Sequence, residues 1–106
     1  MLERDIQRAC LDWLKLKGLY VWRQNQAAVP LAGGGFRRFN GLKGVSDILG
    51  ILNDGRFLAI EVKNEKGKMS PEQDEFQQNI VDRGGVALCV HSLDELIEDM
   101  KELDLS

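Results

Sequence analysis

With 106 residues, 43% of them apolar, the chain is long enough to bury one hydrophobic core and too short for a second domain of ordinary size. Its apolar runs fall far short of the roughly 18 residues of a membrane helix, and its start lacks the basic and apolar segments of a secretory signal. We therefore expect one cytoplasmic domain over residues 1–106, without a membrane span. The net charge of −3 argues against a uniformly basic nucleic-acid binder. It is, however, the sum of a basic first part of the chain and an acidic remainder.

The first two predicted elements are a helix and a strand. Residues 2–17 place apolar side chains at helical spacing, and Gly18 stands where a glycine often ends a helix. Residues 19–24 are rich in β-forming types and too few for a helix, so they predict a strand with Arg23 near its end.

The segment 25–45 has no periodicity and contains three consecutive glycines. It lacks the spacing of a Walker A phosphate loop. Up to residue 45 the chain carries eight Lys and Arg against three acids, whereas the remainder carries six against fourteen. Arg37, Arg38 and Lys43, with Arg23 before them, could therefore contact phosphates through this loop. A flexible surface loop without such a role is the alternative.

A β-hairpin is predicted next. Residues 47–52 and 56–62 are β-like runs separated by Asn53-Asp54-Gly55, a strong hairpin signal. Ser70 then begins a helix, with Pro71 at its first position and Gln73 at the capping-box position. A strand follows at 86–91 and a last, acidic helix after Ser92. The order is αβββαβα, which indicates a mixed α/β fold.

The residues that carry chemistry are Asp47, Glu61 and Lys63. Side chains two apart in a strand share a face, so Glu61 and Lys63 point the same way. A three-residue turn at 53–55 sets Asp47 opposite Glu61. A two-residue turn would shift the register and set Asp47 opposite Val62 instead.

Two facing carboxylates repel each other unless a cation lies between them. Hard oxygen ligands suit Mg²⁺ or Mn²⁺, and such an ion can activate water and neutralise charge on a phosphate. The nearby lysine can position the water and stabilise the developing negative charge. This arrangement predicts phosphodiester hydrolysis. The alternative, a solvent-facing ion pair on a strand, stays open on spacing alone.

Several ordered segments together resemble the PD-(D/E)XK nuclease superfamily, and within it the VRR-NUC (virus-type replication-repair nuclease) family. They are Gly44-Val45-Ser46-Asp47, Ile60-Glu61-Val62-Lys63, Gly67, Ser70-Pro71-Glu72-Gln73, Phe76 and Gly84-Gly85. The resemblance implies a restriction-endonuclease-like core of order αβββαβ with an extra C-terminal helix, its mixed sheet flanked by helices.

The resemblance also implies roles for individual residues. Asp47, Glu61 and the backbone carbonyl of Val62 would bind the metal, and Lys63 would be the catalytic lysine. In addition, two residues would support the metal site or the water, namely Glu3 on the first helix and Gln73. Serine at position 46 departs from the proline in the superfamily's name, without removing a ligand.

The implied function is a metal-dependent DNA endonuclease using Mg²⁺ or Mn²⁺, with a four-way junction as the expected substrate and a homodimer as the expected assembly. Val29, Leu31 and Phe36 are candidates for the dimer interface. A nicking or restriction-type nuclease on duplex or flap DNA is the second reading. The rivals from other classes are a non-catalytic nucleic-acid-binding module and an interaction protein that uses the acidic last helix.

The remaining candidates are expected to be structural. Cys10 and Cys89 match no metal-ligand spacing and are expected to be reduced core thiols. Trp13 and Trp22 are expected in the core, although either could stack on a base. His91, the only histidine, is expected to have a structural or surface role.

Overall fold

The computed structural model describes residues 2–24, 29–30, 36–37 and 42–105. Within these ranges the chain forms three helices and six strands, in an order that confirms the predicted one and adds a short ribbon of two strands. The elements are α1 (Glu3–Leu16), β1 (Tyr20–Arg23), β2 (Val29–Pro30), β3 (Phe36–Arg37), β4 (Ile48–Ile51), β5 (Phe57–Val62), α2 (Pro71–Asp82), β6 (Val86–Val90) and α3 (Leu93–Glu102).

The main sheet has four strands in the order β1-β4-β5-β6. The first three are antiparallel neighbours, whereas β6 runs parallel to β5 because α2 carries the chain across one face of the sheet between them. Strands β2 and β3 pair antiparallel in a separate ribbon, within the segment that the sequence predicts to be an aperiodic loop. The fold is therefore the expected mixed α/β sheet with helices on both faces.

Helix α1 covers one face of the sheet with α3. Its buried side chains recur every fourth residue, at Ile6, Cys10 and Leu14, so a single stripe of the helix packs into the core. Gly18 ends the helix in the left-handed region at φ +81°, as the sequence predicts. Cys10 is fully buried, and this burial raises the pKa of its thiol to about 11.

Strand β5 divides the core. Leu58, Ile60 and Val62 face α1 and α3, whereas Ala59 packs with Phe76 of α2 on the opposite face. The strand is buried along nearly its whole length, as expected for the centre of a sheet covered on both sides. The face that a β5 residue occupies therefore decides whether it meets α2.

The hairpin uses the three-residue turn. Leu52 N–H donates to the carbonyl of Arg56 at 2.8 Å, and Ile48 pairs with Ile60. Continuing this register by one residue sets Asp47 opposite Glu61, which confirms the first of the two predicted alternatives. The alternative prediction, a two-residue turn with Asp47 opposite Val62, is wrong.

The remaining elements also match the sequence. Trp13 and Trp22 are half-buried at the margins of the two core clusters, so the expectation that they pack on the core is confirmed. Cys89 is a free, half-buried thiol. Ser92 caps α3, whose Leu96 and Met100 are buried. Among the described residues, no helix is both long and apolar enough to cross a membrane.

Candidate active site

The predicted site lies on the α2 face of the sheet, where β4 begins and β5 ends. Asp47 immediately precedes β4, and Glu61 and Lys63 lie at the end of β5. Leu49 and Ala59 belong to the cluster that packs on α2. Because alternate residues of a strand share a face, Asp47, Glu61 and Lys63 lie on this same side.

Hydrogen bonds and charge bring these side chains together. Asp47 Oδ2 accepts a hydrogen bond from the backbone N–H of Val62 at 2.9 Å. Glu61 Oε1 accepts one from Gln73 Nε2 at 3.2 Å and lies 3.8 Å from Lys63 Nζ. The site is thus built from two neighbouring strands and the first turn of α2.

Glu61 occupies an unfavourable place for an ionised carboxylate. The residue is only 1% exposed, and its Oε2 atom is buried without a hydrogen-bond partner. The pKa of Glu61 is raised to about 9, first by burial and then by the adjacent Asp47 carboxyl, with a smaller upward effect from the charge of Glu3, while the Lys63 ammonium lowers it only in part. The long Lys63 contact and the raised pKa agree that one ammonium does not balance these carboxylates.

The chemistry of these donors fits a hard divalent cation. Asp47 and Glu61 supply carboxylate oxygens, one of them unpaired, and a cation between them would relieve the repulsion that raises the Glu61 pKa. In the part of the chain that the structure describes, no group of three or more His, Cys, Asp or Glu is arranged to hold a metal. A cation here would therefore complete its coordination with water, phosphate oxygens or backbone carbonyls, as Mg²⁺ commonly does.

Gln73 has two roles at once. The side-chain Oε1 of Gln73 accepts from the backbone N–H of Ser70 at 2.8 Å, and the backbone N–H of Gln73 donates to Ser70 Oγ at 3.2 Å. These two bonds complete the predicted capping box. The same side chain donates through Nε2 to Glu61. Gln73 can therefore cap the helix and contact Glu61 at the same time. The capping bonds hold the Gln73 side chain in the orientation from which it donates to Glu61.

Glu3 contacts the backbone next to Lys63. Its Oε1 atom accepts from Asn64 N–H at 3.1 Å, across 61 positions of sequence. The N-terminal end of α1 thus lies at the same end of the sheet as the predicted lysine. Glu3 makes no described hydrogen bond to the side chains of Asp47 or Glu61, so it acts on the site through the backbone and its charge.

Sequence reasoning missed Gln77, which ties α2 to the segment before Asp47. Gln77 is buried and donates through Nε2 to the Leu88 carbonyl at 2.7 Å and to Ser46 Oγ at 3.5 Å. Ser46 is fully buried, and the bond from Gln77 satisfies its hydroxyl oxygen. Gln77 follows Gln73 by four positions, and this helical spacing was the available signal.

A glycine brings the preceding loop close to the same helix. Gly44 has φ +76°, and a Cβ at this position would lie 2.3 Å from the Glu72 carbonyl oxygen and 2.7 Å from Gln73 N. Only glycine permits both this conformation and this approach. The loop that leads to Asp47 therefore packs directly on the first turn of α2.

The predicted phosphate-contacting residues are described only in part. Arg23 is exposed at the end of β1 and pairs with Ile48, so it lies at the same end of the sheet as the carboxylates but on the face that α1 and α3 cover. Lys43 is exposed beside Gly44. For Arg37 the structure describes the strand but not the side chain, and Arg38 lies outside the described residues.

The proposed dimer residues are also beyond what the structure describes. Leu31 lies outside the described residues, and for Val29 and Phe36 only the strands are described. His91 is half-buried and bonded on both sides of its ring, in agreement with a structural role.

The family model of the VRR-NUC domain matches residues 2–93. Among solved structures, a VRR_NUC domain has a TM-score of 0.69 to this chain at 23% sequence identity, covering 94% of each chain, which shows a shared fold. No curated protein matches the sequence. Because the family model spans most of the chain and the fold agrees with that of a solved member, the protein belongs to the VRR-NUC family of nuclease domains.

Proposed function

We propose that this nuclease domain is a metal-dependent DNA endonuclease. In this proposal, Asp47, Glu61 and the Val62 carbonyl hold Mg²⁺ or Mn²⁺, and Lys63 acts on the reacting phosphate or water. The observation that carries the proposal is the buried, unpaired Oε2 of Glu61 beside the Asp47 carboxyl, with Lys63 Nζ 3.8 Å from the other Glu61 oxygen. Two carboxylates held this closely cannot both be ionised at neutral pH unless a cation neutralises them.

The chain's own residues would perform the following steps. The cation, when bound, supplies Lewis-acid activation of water and neutralises phosphate charge. Lys63 Nζ stabilises the negative charge that develops on the phosphate oxygens as water attacks and the P–O bond to the leaving oxygen breaks. Gln73 holds the Glu61 carboxylate, and Val62 N–H holds that of Asp47, so that both keep their orientation during the reaction.

The proposed substrate is branched DNA, with a four-way junction first, and the proposed assembly is a homodimer. A single unit of this size offers little surface for binding DNA, and a junction has symmetric cleavage positions that a twofold dimer would match. We assign Arg23, Arg37, Arg38 and Lys43 to phosphate contacts in the cytoplasmic enzyme. Lys43 is exposed in the loop that leads to Asp47, which supports its assignment. Arg23 is exposed at the same end of the sheet, but its register with Ile48 places it on the face opposite the carboxylates, so its assignment rests on its place at the strand end.

The test is a cleavage assay on end-labelled four-way junction, flap, linear duplex and single strand. Each substrate is incubated with Mg²⁺, Mn²⁺, Ca²⁺ or chelator. Lys63→Ala should abolish cleavage, whereas Lys101→Ala, a matched change at an exposed lysine of α3, should not. Sedimentation of the same preparation measures the assembly.

Paired, metal-dependent cuts in the junction by a dimer would support the full proposal. Cleavage of duplex or flap alone would retain the active site and overturn the substrate. Binding without cleavage under any metal would favour the non-catalytic module.

A further inference from the structure

The segment that joins Lys63 to α2 forms a compact turn with two exposed lysines. We call residues 64–68 the lysine loop. Gly67 N–H donates to the Asn64 carbonyl at 3.0 Å, and Lys66 N–H donates to Asn64 Oδ1 at 3.2 Å. A Cβ on Gly67 would lie 3.0 Å from Lys63 Cβ. The loop therefore folds back on the predicted catalytic lysine instead of extending away from it.

Two other elements hold this loop from outside. Glu3 of α1 accepts from Asn64 N–H at one end of the turn. At the other end, His91 lies with Nε2 3.1 Å from the Gly67 carbonyl and Nδ1 3.1 Å from Glu95 Oε2. The loop thus has backbone contacts to α1 and, through the imidazole, to the first turn of α3.

The fixed backbone presents charge to solvent. Lys66 and Lys68 are both exposed, and within the described part of the chain neither ammonium makes an ion pair. Glu65 between Lys63 and Lys66 is the one acid of the loop. An ordered turn that carries unpaired lysines beside a predicted phosphate-cleaving site is suited to bind an anion.

The sheet places this loop across the site from Arg23. Arg23 ends β1 at one edge of the sheet, Asp47 and Glu61 lie on the two central strands, and His91 follows β6 at the other edge. Three strand spacings of roughly 4.8 Å separate the two edges, about 14 Å in all. Because one DNA strand carries a phosphate for every 3.4 Å of helix axis, a strand that crosses this end of the sheet would bring more than one phosphate within this width.

We propose that the lysine loop is a second phosphate-binding element, in which Lys66 and Lys68 contact backbone phosphates on the side of the scissile bond opposite Arg23. The proposal rests on the proposed nuclease function and adds the path of the substrate strand. Lysine binds phosphate as a point charge, so these contacts position the backbone without reading its sequence. The DNA strand crosses the ends of the four strands, from β1 towards β6.

The test is DNA binding by the full chain, measured by fluorescence anisotropy in chelator across a series of salt concentrations. The probes are a labelled four-way junction and a labelled duplex. The variants are Lys66→Gln, Lys68→Gln and the double change, each an exposed position with no described bond through its ammonium. Lys101→Gln is the control. A second measurement follows cleavage of the same junction with Mg²⁺ at saturating enzyme.

Each lost phosphate contact should reduce the slope of log K against log salt by about 0.9, so the double variant should lose about 1.8. Binding to junction and duplex should weaken alike, and cleavage at saturation should change far less than affinity. A wild-type slope in the double variant, with normal cleavage by the wild type, overturns this proposal and leaves the nuclease function standing. If the wild type neither binds nor cleaves DNA, both proposals fail. If the wild type binds DNA but does not cleave it, a slope lowered in the double variant retains the phosphate contacts of the loop, while the nuclease function and the placement of the loop beside a scissile bond fail.

Discussion

Replacing Glu61 by glutamine should stabilise the metal-free protein at neutral pH. The pKa of Glu61 is raised from 4.5 to about 9, mainly by burial and by Asp47. The folded state therefore keeps this proton where the unfolded chain has already released it. For an acid with a raised folded pKa, the free energy of unfolding falls as pH rises from 4.5 towards 9.

The size of the effect follows from the difference between the pH of the measurement and 4.5, the pKa of this carboxyl in the unfolded chain. At pH 7 the unfolded carboxyl is about 2.5 pH units above its pKa, and each unit corresponds to 1.36 kcal/mol. The wild type should thus lose about 3 kcal/mol of stability between pH 4.5 and pH 7 through this group. Glutamine has nearly the same shape, can still accept from Gln73, and does not ionise, so the variant should lack this loss.

The assay is urea unfolding in chelator at pH 5 and pH 7, for the wild type, Glu61→Gln and Glu65→Gln. The last variant removes an exposed acid four positions away and should follow the wild type. Added Mg²⁺ at pH 7 should stabilise the wild type by about 2.7 kcal/mol at 100 times its dissociation constant, and the Gln variant much less. Parallel pH dependences for wild type and Glu61→Gln would refute the reasoning.

Three further changes test the parts that hold the site. Gly44→Ala should lower the urea midpoint more than Gly18→Ala, because both positions have positive φ but only a Cβ at Gly44 meets backbone, and an equal loss would contradict the close approach. Gln73→Glu should keep the capping bonds while reducing cleavage, because a carboxylate cannot donate to an ionised Glu61 and adds negative charge beside it; retained cleavage would show that the contact is dispensable. His91→Ala should speed amide hydrogen exchange in the lysine loop, measured by mass spectrometry, since it removes the contact with the Gly67 carbonyl; unchanged exchange would show that the imidazole does not hold the loop.

The local elements and the register could be predicted because their signals are local. Ser70, Pro71 and Gln73 mark the start of α2 within four residues, and the turn at 53–55 fixes which residues face each other across the hairpin. Since side chains alternate in a strand, that register alone carried Asp47 and Glu61 to one face. The core of the candidate site was therefore accessible from the sequence.

The features that were missed depend on contacts between distant parts of the chain. Strands β2 and β3 have two residues each, too few to show an alternating pattern. The bond from Glu3 to Asn64 joins α1 to the end of β5, and nothing near either residue predicts it. Gln77 resembles any polar residue of an exposed helix until α2 is packed against Ser46.

The raised pKa of Glu61 is also a consequence of packing, and it connects the fold with the proposed activity. The glutamate lies in the central strand of a sheet covered on both faces, where the pattern of the sequence calls for apolar side chains. A glutamine there would satisfy the metal-free fold better, so stability alone gives no reason for a carboxylate. Its buried oxygen has no hydrogen-bond partner, and the proposed cation would satisfy it. The Mg²⁺ dependence of stability therefore tests the proposed function independently of cleavage.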